Sequence, residues 1–435
     1  MESIRIEPQI ETREGAHKVS SLINLETGLT ERRPPISSLT PRPRSKVKPP
    51  CKGKIIVFGI MFFYPLAGVT FQFLHYLLGL RRLGYDPYYV EDSGRWIYDP
   101  KLNDMSPDPA GNLQAVVPVL EAHGFSQRWA FRGDYPGGQC YGMNEAQIRA
   151  LYRSADGFLN VTGAQEIRPE HLDCRRRIYV ESDPFALQVR VAEGDPNSLG
   201  AVAAHDTLFS FGENLGAEDC TVPVENFRWQ PTRQPVALEL WDNPCKTPSS
   251  AYRTITTWQN KGDGICYRGE RYYWTKDREF QKYLELPQKR NVEFELATGV
   301  SPDVDTRLKK HGWQRIDSIG VSRDINRYRE YIQTSKGEFT VARDQYVRPR
   351  TGWFSDRSAC YLAASRPVIT QETGFSKYLP TGKGLFAFRT MDDVLAAIDA
   401  IETDYQGNCR AAREIAEEYF DAEKVLGSLI ERAGL

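Results

Sequence analysis

The stretch GWFSDRSACYLAASRPVITQETGFSKYLPTGKGLFAF, residues 352–388, decides how the whole sequence is interpreted. Its pattern predicts a loop ending at Ser355, a helix over about 356–365, a buried strand at 367–370 and a short strand at 384–388. With the strand predicted before it, this stretch makes a βαβ unit of a parallel sheet.

The start of the predicted helix suits an anion. Ser355 and Ser358 can cap it, and the free N–H groups and positive dipole end attract a phosphate. Glu372 and Thr373 follow the next strand, at the edge where α/β folds bind ligands. A phosphate site and a carboxylate for hydroxyl groups, one strand apart, suit a nucleotide sugar. Ordinary helix caps explain the same residues without a ligand.

Length and composition limit the classes of function. A chain of 435 residues is long enough for two domains with full cores. The 56 Lys and Arg balance 57 Asp and Glu, so no global field recruits nucleic acid or an acidic membrane. The eight cysteines form no CxxC pair and have no histidine at zinc spacing, which is typical of reduced thiols in a cytoplasmic protein. The N-terminus has charged residues and no signal-peptide pattern.

One uncharged run, at 57–80, is long enough to cross a bilayer. Pro65, Gly68 and His75 interrupt it, and its first part is rich in β-branched residues. A buried strand, a loop and a buried helix explain the run at lower cost. We therefore expect no transmembrane span, while a peripheral contact with a membrane stays open.

The rest of the chain alternates between predicted strands and helices. Residues 1–50 are polar and proline-rich, which predicts a disordered tail. From Lys54 onward, repeated strand–helix units favour a doubly wound parallel sheet. The section from 93 to about 110 is predicted to be irregular. Prolines spread through 228–252 indicate a connection, and a second alternating series follows it.

The predicted fold class is therefore α/β, with two Rossmann-like doubly wound domains facing each other across a cleft. We expect an acceptor-binding domain at 51–235 and a nucleotide-sugar-binding domain at 236–415. A C-terminal helix at 416–435, continuous with the helix that begins at Cys409, is expected to pack back on the first domain.

Two α/β halves, a central linker and the stretch 352–388 resemble the GT-B fold glycosyltransferases, in particular bacterial members that use nucleotide sugars. The architecture covers about 54–435, and the motif resemblance is clearest over 252–420. The resemblance implies that a nucleoside diphosphate sugar lies in the cleft, mostly on the second domain. The donor-binding residues that it implies are Ser355, Arg357 and Ser358 for the diphosphate, Glu372, Thr373 and Gly374 for the sugar, and Val321 and Ser322, in a turn at 319–322, for the nucleobase. Asp356, in the same segment, is also expected to bind the substrate.

The sequence also departs from this family. Many retaining members carry an E-x7-E motif, and alignment on the PV at 367–368 puts Gly352 and Cys360 at those positions. Only part of the HCGWNS box of plant-type members is present, as GWFS. Neither mechanism can be carried over, so an inverting or a retaining outcome stays open.

Sugar transfer needs positive charge or a dipole at the leaving diphosphate. Lys261, just after the first strand of the second half, and Lys276 can supply a cation, as can Arg357. An ordinary surface lysine is the alternative for the first two. Gly68, in YPLAGVT, permits either a close approach of the backbone to a ligand or a sharp turn.

A base for the acceptor hydroxyl should come from the strand ends of the first domain. The candidates are Asp92, Asp183 and His205. A carboxylate at a strand end can equally cap the following helix, and Asp183, which precedes Pro184, fits that role.

The sequence predicts neither a metal nor a cofactor. No DxD motif follows a strand, and the absence of GxGxxG after the first strand argues against a dehydrogenase. We expect a cytoplasmic, metal-independent glycosyltransferase with an unidentified acceptor and no nucleic-acid partner. A sugar-nucleotide epimerase of the same fold and a non-catalytic sugar-nucleotide-binding protein are the alternatives.

Overall fold

The computed structural model describes residues 51–94, 96–133, 138–242, 248–260 and 264–435. These residues belong to one unit of the chain, which spans 49–435. The predicted tail at 1–50 and the candidate Lys261 lie outside the described residues.

An eight-stranded sheet organises the N-terminal half, by which we mean the chain up to Pro231, in the order β10-β9-β8-β7-β1-β2-β5-β6. The strands of this half are β1 Lys54–Phe58, β2 Asp86–Glu91, β3 Ile97–Asp99, β4 Asp104–Ser106, β5 Trp129–Arg132, β6 Cys140–Gly142, β7 Gly157–Val161, β8 Arg177–Glu181, β9 Thr207–Ser210 and β10 Trp229–Pro231. All pairs of the sheet are parallel except β5 with β6. β3 and β4 form a separate antiparallel hairpin.

Helices cover both faces of this sheet, and therefore strands such as β1 are buried almost along their whole length. They are α1 Ala67–Arg82, α2 Ala110–Ala122, α3 Glu145–Ser154, α4 Ala186–Ala192 and α5 Pro196–Ala203. The uncharged run at 57–80 is divided between β1, a loop and the buried helix α1. In the described part of the chain, every helix is too short or too polar to cross a bilayer.

Two three-stranded parallel sheets, β11-β14-β15 and β16-β17-β18, organise the C-terminal half, from Ala251 to Tyr419. Its strands are β11 Ala251–Ile255, β12 Ile265–Tyr267, β13 Glu270–Tyr272, β14 Glu293–Ala297, β15 Gln314–Ile316, β16 Glu338–Thr340, β17 Val368–Gln371 and β18 Leu385–Phe388. The two sheets meet where Arg253 N donates to Gly337 O at 2.9 Å. The combined order is the strand order of the Rossmann fold, so the predicted pair of doubly wound sheets is confirmed.

The helices after β11 are α6 Asp277–Gln281, α7 Leu286–Lys289, α8 Pro302–Lys310, α9 Ser318–Ser322, α10 Ile325–Thr334, α11 Asp344–Val347, α12 Asp356–Ala363, α13 Met391–Thr403, α14 Tyr405–Tyr419 and α15 Ala422–Ala433. The last of them, α15, leaves the C-terminal half and packs on α1. Leu426, Leu429 and Ile430 belong to the same hydrophobic core as Leu77 and Leu80 of α1.

Several local predictions need correction. The predicted single helix after Cys409 is two helices, because the Asp421 side chain accepts hydrogen bonds from Glu423 N and Lys424 N and starts α15. The turn predicted at 319–322 is part of α9, whose first amides are capped by Asp317. The section predicted to be irregular contains β3 and β4, and the predicted connection at 228–252 begins with β10.

Candidate functional site between the two halves

The N-terminus of α12 lies where the two halves meet. Ser355 is its N-cap, is buried, and makes no side-chain capping hydrogen bond. Asp356 occupies the first turn, and burial raises the pKa of its carboxyl group, with a further contribution from the negative charge of Asp183. The first turn of α12 therefore already holds one carboxyl group at the positive end of the helix dipole.

The Arg357 and Ser358 side chains turn under the helix, toward β16. Arg357 Nε and Ser358 Oγ each donate to Glu338 at 2.6 Å, and Arg357 also donates to Ile255 O at 2.6 Å and Thr340 Oγ1 at 3.0 Å. Glu338 is fully buried, so this ion pair holds α12 on the sheet. The sequence predicted that both side chains are available to bind a diphosphate. In the structure their polar atoms are already engaged.

Lys276, by contrast, is a buried lysine whose amino group has no hydrogen bond or ion pair in the described part of the chain. It lies at the N-terminus of α6 and is 8% exposed. Burial lowers the pKa of its ammonium group well below the usual value, and the charges of Arg357 and Arg343 lower it further, while the carboxylates of Glu338 and Asp356 partly oppose them. Removal of an ammonium group from water is costly unless an anion compensates it. Lys276 is therefore poised to receive one.

Asp183 follows β8 and reaches the C-terminal half. Its Oδ1 accepts a hydrogen bond from Arg343 Nη1 at 3.0 Å and another from the Tyr346 hydroxyl, and Ser182 Oγ donates to Oδ2 at 3.0 Å. The side chain remains 45% exposed. Of the three candidate bases, Asp183 is the one that the structure brings to the C-terminal half. Sequence reasoning missed both of its partners, Arg343 and Tyr346.

The backbone beside Asp183 is strained. Phe185 has a φ of 122°, which a bulky residue rarely adopts, yet its side chain is fully buried and its amide donates to Gln188 Oε1 at 2.7 Å. A second contact fixes the same turn from the other half, because Trp353 Nε1 donates to Ser182 O at 2.9 Å. The position of Asp183 is thus set from both halves.

The turn after β17 contains the predicted sugar-binding residues. The Glu372 carboxylate accepts the Gly374 N–H, and Thr373 Oγ1 donates to Trp353 O at 2.5 Å. Gly352 N donates to Thr373 O at 2.7 Å, so this turn and the loop before α12 support each other. Glu372 is 5% exposed and keeps its second carboxylate oxygen outside these contacts.

The loop before α12 also packs tightly on the N-terminal half. Gly352 has a φ of +78°, and a Cβ there would overlap with the Asn214 backbone nitrogen and lie 2.8 Å from its Cβ. Asn214 N donates to Thr351 O at 3.1 Å, and its side chain donates to Arg350 O at 2.7 Å. Only glycine fits this junction without a shift of the backbone.

Asp92 lies in a buried ion-pair cluster. Arg132 binds both of its oxygens, at 2.6 and 2.7 Å, while Arg168 and the Tyr152 hydroxyl also donate to it. Its oxygens, with those of Glu170 and the His171 ring, come close enough to hold a metal ion. Two arginines already neutralise Asp92, so this donor set suits a cation poorly.

His205 precedes β9, at the opposite end of that strand from the loop that contacts Gly352. Its Nδ1 lies 2.8 Å from Ala201 O and its Nε2 lies 3.1 Å from Asn160 Nδ2. Burial lowers its pKa to about 4. The ring is thus a neutral, hydrogen-bonded group on the face of the sheet, away from Asp183.

The remaining candidates have mixed positions. Gly68 is in the first turn of α1, where a Cβ would lie 3.1 Å from the hydroxyl of Tyr328 in the C-terminal half. It is therefore a point of close approach between the halves. Val321 and Ser322 are buried in α9, with Val321 in the hydrophobic core, so their side chains face the interior.

Comparison with known proteins bears on the fold. No protein-family model matches the sequence, and neither does any curated protein. Among solved structures, an alpha-glucosyltransferase in complex with UDP and a 13-mer DNA containing an HMU base aligns with a TM-score of 0.53 and 10% identity, covering 88% of this chain and 99% of that chain. An alpha-glucosyltransferase in complex with UDP has a TM-score of 0.51 and 10% identity, over 88% and 100%.

A glycosyltransferase from Rickettsia africae ESF-5 aligns with a TM-score of 0.50 and 10% identity, over 88% of this chain and 98% of that chain. The alignments include nearly the whole of each of these proteins. The chain therefore has the two-sheet GT-B fold of these glycosyltransferases, as its sequence predicted.

Proposed function

We propose that this protein is a glycosyltransferase that moves a sugar from a nucleoside diphosphate sugar to an acceptor of unidentified structure. The observation that carries the proposal is Lys276, a buried ammonium group without a described partner, beside Arg343 and Arg357. A diphosphate supplies the missing negative charge. The fold shared with UDP-bound alpha-glucosyltransferases supports the same conclusion.

In this proposal the donor lies between the halves. Lys276 and the N-terminal end of α12 hold the diphosphate and stabilise the charge that develops on it as it leaves. The free oxygen of Glu372 accepts a hydrogen bond from a hydroxyl of the sugar. The Arg357 and Ser358 side chains act indirectly, because their bonds to Glu338 fix α12 on the sheet.

Asp183 is the proposed base. It would accept the proton of the acceptor hydroxyl as that oxygen bonds to the anomeric carbon and the diphosphate departs with the electrons of the broken C–O bond. Its bonds from Arg343 and Tyr346 orient the carboxylate, and the strained turn at Phe185 fixes its backbone. Asp92 and His205 are weaker candidates for the base. Two arginines bind Asp92, and His205 is a buried neutral ring on the face of the sheet, away from Asp183.

The two predicted domains would have separate roles, with the acceptor on residues 51–235 and the donor on residues 236–415. We further propose that transfer needs no metal and no nucleic acid. A cytoplasmic location is part of the proposal, because the seven cysteines that the structure describes are all free thiols.

Calorimetric titration tests the proposal. UDP, GDP and ADP, each alone and as its glucose conjugate, are titrated into the wild-type protein and into Lys276→Met. We expect at least one of them to bind the wild type and to bind the variant at least tenfold more weakly. Release of free diphosphate that depends on added acceptors, in the presence of EDTA, then separates a metal-independent transferase from an epimerase. If none of the six compounds binds the wild type, the proposal is wrong.

A further inference from the structure

A cavity lies in the N-terminal half, on the face of the sheet. Its volume is about 480 Å³, within the range of about 300–1,000 Å³ that is common for small-molecule sites. Helix α5 forms one wall, β7 and β8 form the floor, and the loop after β7 forms the rim. The lining residues used below are Gln165, Glu166, Tyr179, Asn197, Gly200 and His205.

Two buried side chains in this cavity have unused hydrogen-bonding groups. Tyr179 is 8% exposed, and its hydroxyl has no hydrogen-bond partner among the described residues. Gln165 is 4% exposed, and both of its amide hydrogens are committed, to Asp92 O at 3.0 Å and Glu166 O at 2.8 Å. These carbonyl partners identify which side-chain atom is the nitrogen. The Gln165 carbonyl oxygen therefore remains as an acceptor with no partner in the described part of the chain.

Neither atom is sealed in the protein interior, so both open into the cavity, where they can bond to water or to a ligand. The backbone beside the cavity also has an unusual conformation. Gly163 has a φ of +61°, and a Cβ there would overlap with the Tyr179 hydroxyl and lie 3.0 Å from its Cζ. Thr162, just before it, has a φ of 62°, which is rare for a β-branched residue. Only glycine at 163 lets this turn pack beside the Tyr179 hydroxyl without a clash.

The charges in the cavity define the chemistry of its ligand. Among the described lining residues, Glu166 is the sole formal charge, because burial keeps His205 neutral. None of the described residues that line the cavity is a cation that could bind a phosphate or a carboxylate. The remaining polar groups are a hydroxyl, an amide oxygen and the exposed amide of Asn197. These groups pair well with neighbouring hydroxyls, one of which accepts from Tyr179 while another donates to Gln165.

We propose that this cavity binds a neutral, polyhydroxylated ligand, that is, an uncharged saccharide, at a site separate from the nucleotide cleft. Small side chains on α5 make room for it, since Gly200, Ala201 and Ala204 line its wall. The inference goes beyond the proposed transfer of sugar and rests on its own residues.

Gly200 gives a direct way to close the cavity. A Cβ added there meets no heavy atom within 4 Å, so Gly200→Leu fills open space and does not disturb the core. Gly111, in α2, is also a helical glycine whose added Cβ meets nothing within 4 Å, and it does not line the cavity. Gly111→Leu is therefore the matched control. Tyr179→Phe removes the hydroxyl and keeps the ring.

The test measures binding of maltose, cellobiose and lactose, with inorganic phosphate as an anionic probe, by calorimetry and saturation-transfer NMR. We expect at least one disaccharide to bind the wild type and Gly111→Leu equally, to bind Tyr179→Phe at least threefold more weakly, and to bind Gly200→Leu at least tenfold more weakly. UDP is titrated in parallel and should bind all four proteins alike.

Three results would overturn the inference. The first is that none of the three disaccharides binds, and the second is that Gly200→Leu binds them as well as the wild type. The third is that inorganic phosphate binds in a way that Gly200→Leu abolishes, which would mean an anion site. A wild type that binds a disaccharide but none of the six nucleotide compounds would count against the proposed transferase alone.

Discussion

Arg343 of the C-terminal half donates a hydrogen bond to Asp183 of the N-terminal half at 3.0 Å, although 160 residues separate them in the sequence. The guanidinium group lies over the ring of Trp274, 3.6 Å from its centroid, and is held in place by that contact. The candidate base and the proposed donor site are thus joined by a direct ion pair. This pair allows the roles of the two halves to be tested separately.

Asp183→Asn should lower kcat by about 10²–10⁴-fold, because the amide cannot accept the proton of the acceptor hydroxyl. The Kd for UDP should change by less than about threefold, since Asp183 does not contact the donor in the proposed mechanism. Asp206→Asn is the control, as Asp206 also pairs with an arginine in the N-terminal half but lies at the far end of β9. An unchanged kcat in Asp183→Asn would remove Asp183 as the base.

Lys276→Met should change stability and binding in opposite directions. Replacement of an uncompensated buried ammonium group should raise the free energy of unfolding by about 1–3 kcal/mol. Affinity for UDP should fall at least tenfold. Urea denaturation and calorimetry measure the two effects. Lys282→Met is the control, because Lys282 is 60% exposed and pairs with Glu279, and it should change neither quantity appreciably. Lower stability in Lys276→Met would show that the lysine has a partner within the fold.

Glu372→Gln should weaken binding of the donor sugar more than binding of the bare nucleotide. The glutamine oxygen can still accept the Gly374 N–H, so the turn after β17 is preserved. We expect the Kd of the nucleotide sugar to rise about tenfold and that of UDP to stay within about twofold. Titration with both ligands gives the comparison. Equal losses for both ligands would mean that Glu372 does not contact the sugar.

Gly352→Ala should lower the free energy of unfolding by more than the strain of a positive φ alone explains. The new Cβ would overlap with Asn214, and the φ of +78° adds strain. Gly382→Ala isolates the second effect, because Gly382 has a φ of +98° but an added Cβ meets nothing within 4 Å. The control should cost about 1–2 kcal/mol and Gly352→Ala at least twice as much, measured by urea denaturation. Equal losses of stability in the two variants would show that the backbone around Asn214 can shift to accommodate the new Cβ.

Glu181 should make stability fall as the pH rises. It is 3% exposed, Oε1 has no described partner, and burial raises its pKa to about 7. Between the unfolded pKa, near 4.5, and about 7, the unfolded state loses the proton that the folded state keeps. The free energy of unfolding should therefore lose up to about 1.4 kcal/mol per pH unit in that window through this group.

Glu181→Gln removes this titration, and its urea-denaturation midpoints at pH 5 and pH 7 should differ less than those of the wild type. Glu225→Gln, at an exposed position of the same half, should follow the wild-type pH dependence. If Glu181→Gln shows the full wild-type decline, another group causes it.

The sequence predicted the parts of the fold that depend on local pattern. Buried runs such as the one at 367–370 and the helix after Ser355 were recognised, because burial and helical periodicity leave marks within a few residues, although neither Ser355 nor Ser358 caps that helix with its side chain. The hairpin of β12 and β13 was missed because its strands have only three residues each, too few for a periodic pattern, and most of those residues are half-buried or exposed. The break between α14 and α15 was missed because apolar periodicity continues through it.

The site was harder to predict than the fold. Glu338 was not identified, although it engages both Arg357 and Ser358, because nothing near a buried glutamate in a strand indicates which distant cation it meets. Arg343 had one usable signal, a position just after β16, where α/β sheets bind ligands. Asp92 was a candidate base because it stands at the end of a strand, where a base is expected. Its arginine partners come from elsewhere in the chain, so no local pattern indicated them.

The packing of α15 on α1 has a consequence for biosynthesis. Gly79 of α1 lies so close to Leu426 and Ala422 that an added Cβ would be 2.6 and 2.8 Å from them. The apolar face of α1 is therefore completed by residues that the ribosome adds more than 300 positions later. During synthesis the N-terminal half therefore exposes this apolar face until α15 has been made. A chain truncated before residue 422 would keep the face exposed and would be an early target for chaperones and proteases.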